Sequence, residues 1–396
     1  MPQLRLIGFR YHPAVGGAEH LARQLLHEIG PRMSADVITL VTDNRSDWLR
    51  LLVDGARDRE ETYEVDGRQV QALGRWPASV RQRLRPLVAF YHLPFSPAPS
   101  LMARVLRPQV DALARDADLL HNVFMGREAF SLAFLLAALR HGKPFVFTPL
   151  RHQRPLGWNS PAFQELYRRA SAVIALSQAE GDWLVRQGVP ESRLSIIGAG
   201  PLSDESATPE LARTQVGDGP FVLFLGQLHD YKGVRALLDA ATRLRDRDLR
   251  FVFAGPDVRG HASALRGAGA NVLYLGTVDE RLRDSLLKAC LALCVPSSRE
   301  SFGLVLVEAW NAGRPVIGGP AAATRELIDD GIDGWSVAQS GAEIADRLQR
   351  LLNDPGLADS MGRQGKAKVT QRFAWPAVAR AHLDLYDRLL RGRQAA

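Results

Sequence analysis

Apolar runs of four to six residues alternate with longer helix-period segments along this chain, a pattern that admits parallel sheets wrapped by helices and argues against all-α or all-β architecture. In the first half the runs are Leu4–Phe9, Val37–Thr42, Gln69–Leu73, Leu119–Val123, Phe145–Thr148, Val173–Leu176 and Leu194–Ile197. In the second half they are Phe221–Leu225, Arg250–Ala254, Asn271–Leu275, Leu291–Val295, Pro315–Gly318 and Gly334–Val337. Between the two sets lies Gly198-Ala-Gly-Pro-Leu-Ser-Asp-Glu-Ser-Ala-Thr-Pro209, whose small, polar and Pro/Gly composition reads as a hinge. Two similar α/β units are therefore expected, joined near residue 203. Ligands of open α/β sheets bind beyond the carboxyl ends of the strands, so the chemistry should collect there.

The longest uncharged apolar stretch, Ala129 to Leu139, is too short to cross a bilayer and reads as a buried helix. The first residues enter an apolar strand without the pattern of a secretory signal, which gives a cytoplasmic expectation. Cys290 and Cys294 lack further Cys or His partners nearby and read as core residues, not as metal ligands. The net charge of +7 is concentrated in the first half, and no acidic residue occurs between Asp66 and Asp111. That span holds seven arginines interleaved with Trp76, Phe90, Tyr91 and Phe95, a composition suited to polyanions or to anionic lipid headgroups. No recognition-helix or RNA-module pattern accompanies it, so nucleic acid is not expected as a partner.

Three segments carry candidate chemistry. After the first strand comes Arg10-Tyr-His-Pro-Ala-Val-Gly16-Gly17-Ala-Glu19, where paired glycines let an anion approach a helix start. After the strand Phe221–Leu225 comes Gly226-Gln227-Leu-His-Asp-Tyr-Lys232-Gly233, which sets a lysine at the strand's carboxyl end in a chain with five lysines and 45 arginines. Between Ser297 and Pro315, Glu300 and Glu308 flank the turn Ser301-Phe302-Gly303 and a helix start near Leu304, whose free N–H groups make an anion site. A carboxylate at the rim of a phosphate site calls for a neutral, hydroxyl-rich group beside it, which suggests a sugar on one side and a ribose on the other.

In order and spacing these segments resemble glycosyltransferase family 4, and the resemblance extends over nearly the whole chain. It implies a GT-B fold, with two facing Rossmann-like domains, a cleft between them and a C-terminal helix crossing back to the first. The acceptor domain would be residues 1–202 with helix 378–396, and the donor domain 203–377. It also implies retaining transfer from a nucleoside diphosphate sugar to an acceptor hydroxyl, of a lipid-linked or cell-envelope glycan precursor, with no cofactor and no metal. Glu300 would then bind donor-sugar hydroxyls and Glu308 the ribose. Backbone N–H groups of Phe302, Gly303 and Leu304 beside Ser301 would take the distal phosphate. Lys232 would offset diphosphate charge beside Gly226 and Gln227, Gly16 and Gly17 would approach the phosphates from the other domain, and Thr277 and Val278 would pack the base. His152, with His121 as the alternative, is the expected acceptor-side histidine. The arginine-rich residues 67–110 would face an anionic membrane surface, which gives peripheral attachment to its inner face.

Gln227 departs from the family, which usually has Arg there. Losing that cation should cost on the order of 1–3 kcal/mol unless Arg299, Arg10, Arg151 or Arg154 replaces it. The rival readings are a nucleotide-sugar epimerase on the same fold and a non-catalytic nucleotide-sugar-binding protein.

Overall fold

The computed structural model describes all residues except 15, 31, 44–46, 124–127, 152–157, 204–205 and 395–396. It divides into a unit of Met1–Gly198 with Trp375–Ala396 and a second unit of Ala199–Ala374.

The first unit holds an eight-stranded sheet in the order β3-β4-β2-β1-β5-β6-β7-β8, where β1 is Gln3–Arg10, β2 Ser34–Val41, β3 Glu61–Val65, β4 Arg68–Ala72, β5 Leu119–Val123, β6 Phe145–Thr148, β7 Ala172–Ala175 and β8 Leu194–Ile196. All pairs are parallel except β3 with β4. The apolar runs become strands because helices cover both faces of the central sheet, so β5, β6 and β7 are buried at every position. β3 carries no apolar run and only Val65 is buried, which is why sequence patterning does not find it. Its signal lies in the turn instead. Asp66 and Gly67 both take positive φ, 51° and 72°, as a two-residue hairpin of the Asp-Gly type requires. Helix Glu128–Arg140, expected to be buried, contributes Phe130 and Phe134 to the core, where Phe130 meets Phe9 edge-on at 5.9 Å.

The second unit holds a parallel sheet in the order β11-β10-β9-β12-β13-β14, where β9 is Phe221–Leu225, β10 Arg250–Ala254, β11 Val272–Gly276, β12 Ala292–Val295, β13 Val316–Gly318 and β14 Gly334–Ser336. Counted from β9, this is the doubly wound order 3-2-1-4-5-6, and the direction of winding reverses between β9 and β12. Cys290 and Cys294 are buried free thiols in this core. The C-terminal helix Trp375–Gln394 belongs to the first unit, where it packs on helix Gly17–Ile29.

Candidate active site

In a doubly wound sheet ligands bind at the carboxyl ends of the strands where the winding reverses, here between β9 and β12, and glycine lets the loops there approach closely. Gly226 has φ 140° and donates its N–H to Ala254 O at 2.9 Å, while a Cβ on Gly255 would lie 2.0 Å from Gly226 O. A Cβ on Gly233 would lie 2.6 Å from Pro296 Cγ, so the loop that follows β9 rests on the loop that follows β12. The Ser298 N–H donates to Tyr231 O at 2.8 Å, and Gln339 Nε2 donates to both Tyr231 O and Pro296 O at 2.8 Å. Lys232 and Glu300, 68 positions apart, meet on this frame with Nζ 2.5 Å from Oε1. Burial pulls the Lys232 ammonium toward neutrality, but Glu300 outweighs it and holds the pKa above the ordinary value. The cation and the first carboxylate expected at the site are thus paired with each other, an arrangement the sequence did not foretell. Gln227 beside them is exposed.

Gly303, at φ 105°, starts helix Leu304–Asn311, and no side chain caps it. Unlike a side-chain-capped start, it leaves first-turn N–H groups for a ligand. Phe302 anchors the turn by packing edge-on against Phe373 at 5.6 Å, next to Ser301. One turn into the helix, Glu308 is buried and accepts the Leu202 N–H. Burial lifts its pKa to about 7, partly opposed by Arg283. Arg283 itself is bonded through Nε to Asp284 at 2.7 Å, on a helix that Asp279 caps through the Leu282 N–H. Thr277, exposed, and Val278, half-buried, lead into that helix from β11. Glu308 and the expected base residues thus sit on two successive helices, and Arg283, which sequence reasoning missed, partly offsets the burial of Glu308.

In the first unit, Gly16 and Gly17 open helix Gly17–Ile29, which likewise has no side-chain cap. A Cβ on Gly16 would lie 2.4 Å from Glu19 Oε2, whereas one on Gly17 meets nothing within 4 Å. Glu19 is buried and pairs with Arg10 at 2.7 Å. Beyond β6 and β7, buried Glu180 accepts N–H groups from Arg151 at 2.7 Å and Leu176 at 2.8 Å, and burial lifts its pKa to about 7. The Arg151 guanidinium lies 4.0 Å over the Trp183 ring. His152 and Arg154 fall outside the described residues. His121 is enclosed, with Nδ1 2.7 Å from Tyr386 Oη and Nε2 2.8 Å from Thr148 Oγ1, and burial drives its pKa well below the ordinary value. Both nitrogens being engaged, it serves as a packing link to the C-terminal helix and not as an acceptor-side base.

Two family models match in series: a "glycosyl transferase 4-like domain" over residues 16–200 and "glycosyl transferases group 1" over residues 211–368. A phosphatidyl-myo-inositol mannosyltransferase of Mycobacterium leprae is 29% identical over 308 residues, which cover 74% of this chain and 78% of that protein. A D-inositol 3-phosphate glycosyltransferase of Streptomyces bingchenggensis is 32% identical over 258 residues, 58% of this chain and 55% of the relative. The chain spans 55–60% of the length of that protein and of two similar curated relatives. Among solved structures, Anabaena HepE in complex with UDP superposes with a TM-score of 0.73 at 19% identity, covering 98% of this chain and 100% of its own. Sucrose-phosphate synthase from Thermosynechococcus elongatus gives 0.72 at 19%, covering 99% and 100%. These likenesses show the fold, which is GT-B as the sequence led us to expect. With both family models laid along that fold, the chain belongs to the family 4-type glycosyltransferases.

Proposed function

We propose that the chain transfers a sugar, with retention at the anomeric carbon and without a metal ion, from a nucleoside diphosphate sugar held by the second unit to an acceptor hydroxyl held by the first. The observation that carries this reading is the buried Glu308 carboxylate, one turn inside an uncapped helix start beside the Lys232–Glu300 pair. Such a carboxylate suits hydroxyl donors, and the helix start together with Lys232 suits a diphosphate. In the transfer, the bond from the anomeric carbon to the phosphate oxygen breaks as the bond to the acceptor oxygen forms. The acceptor proton passes to the departing phosphate, so no protein base is required. Lys232 and the helix start offset the charge that develops there, the task a divalent ion performs elsewhere. Glu300, sharing Lys232, orients the sugar hydroxyls.

A panel of nucleotide sugars with purified chain tests the reading, through thermal stabilisation, product and anomeric configuration by NMR, and activity in the presence of EDTA. Glu308→Ala should weaken nucleotide binding about 10- to 100-fold, as loss of a hydrogen-bond acceptor that carries charge implies. Glu300→Ala should instead lower turnover with nucleotide binding largely kept. No donor response in the wild type, or equal losses of both kinds in both variants, contradicts the assignment. Sugar conversion without an acceptor would favour epimerisation.

For the acceptor we propose a lipid-linked glycan precursor at an anionic membrane surface. Phe90, Leu93, Phe95 and Leu101 are exposed within the acid-free span, and Phe95 is 81% accessible at a φ of 57°. Holding a bulky residue at left-handed φ costs about 1–2 kcal/mol.

A further inference from the structure

The loop from Gly226 to Lys232 carries a cation from elsewhere in the fold. Leu228 and Asp257 form a parallel bridge, and the Leu228 N–H donates to Pro256 O at 2.9 Å, so the loops that follow β9 and β10 run side by side. Arg259, on the second loop, donates from Nε to His229 Nε2 at 3.1 Å. A guanidinium held by Nε keeps both terminal nitrogens for another acceptor, the edge that grips a phosphate. Asp257 accepts the backbone N–H groups of Arg259, His261 and Ala262 at 3.2, 2.9 and 2.9 Å, which fixes the Arg259 backbone. Nearby Asp230 faces Arg235 at 3.3 Å and His261 at 3.4 Å, and among the described residues no carboxylate forms an ion pair with Arg259. To accept from Arg259, His229 must be neutral with its proton on Nδ1. Burial first, then Arg259, lowers its pKa in keeping with that state.

We propose that Arg259, presented by His229 two residues beyond Gln227, supplies the diphosphate-binding charge that position 227 lacks. This rests on reading the second unit as the donor site. Arg299 is the competing candidate: it is exposed, precedes Glu300 and acts electrostatically on His229. The backbone cradle of Arg259 and its imidazole-held Nε favour Arg259.

The test is calorimetric titration of the full chain with UDP, GDP and ADP against uridine, guanosine and adenosine. In Arg259→Ala, the affinity for the preferred diphosphate should fall about tenfold or more relative to its nucleoside. Gln227→Arg added to Arg259→Ala should restore the ratio, which also separates lost charge from misfolding. An unchanged ratio in Arg259→Ala, or a loss that appears only in Arg299→Ala, overturns the proposal while leaving the donor reading intact. A wild-type chain that binds none of the three diphosphates overturns both.

Discussion

Glu308 is the residue on which pH dependence should centre. Its pKa is raised to about 7 by burial, with Arg283 and the Leu202 N–H opposing and Asp284 and Glu280 assisting. A folded-state pKa above the unfolded value means that the native chain binds more protons, so this contribution to stability is full at acid pH and is lost as pH rises through about 7. On the proposed reading ligand binding works in the other direction, because ribose hydroxyls would favour the ionised carboxylate. Nucleotide affinity should therefore rise between pH 6 and pH 8 with proton release, read by calorimetry in two buffers of different ionisation heat; Glu308→Gln should abolish the release attributable to this site. A release that persists unchanged in Glu308→Gln contradicts the assignment. That Glu300, Glu308 and Lys232 belong to one site was an expectation carried by the family resemblance. The bond between Lys232 and Glu300 was not, since it joins loops that only the folded sheet brings together. Arg259 escaped for the same reason, as its partner His229 lies 30 positions away.

Among the elements, strands were legible wherever helices cover both faces, because burial demands an apolar run. β3 was not, for its residues are mostly exposed and its evidence was the Asp66-Gly67 turn. That contrast gives a stability prediction. Gly67, at φ 72°, has nothing within 4 Å of a built Cβ, so Gly67→Ala should cost about 1 kcal/mol for the backbone alone. Gly255→Ala adds a methyl 2.0 Å from Gly226 O to the same kind of backbone strain and should cost several times more, with loss of nucleotide binding. Urea unfolding of the two variants makes the comparison, and equal costs would show that the approach of β9 and β10 is not tight.

At the scale of the whole molecule, two α/β units with parallel sheets were readable from the alternation of runs, whereas strand order, and with it the reversal of winding, was not, because apolar period carries no information on neighbours. The pairing of arginines within the acid-free span likewise appears only in the folded chain. Arg81 and Arg85 are drawn to Asp54 at 3.6 and 3.2 Å, while Arg83 remains exposed on the helix that precedes Phe90. Vesicles containing phosphatidylglycerol should retain the chain in sedimentation and release it as salt rises. Leu93→Ser with Phe95→Ser should reduce retention, and equal retention on purely zwitterionic vesicles counts against the surface. The first unit also closes late in another sense. Its helix Trp375–Gln394 bonds Tyr386 to His121 across 265 positions, with the whole second unit between them in the chain. On the ribosome, the unit begun first is therefore completed last, and its buried His121 pocket waits for its final helix until the second unit has already been synthesised.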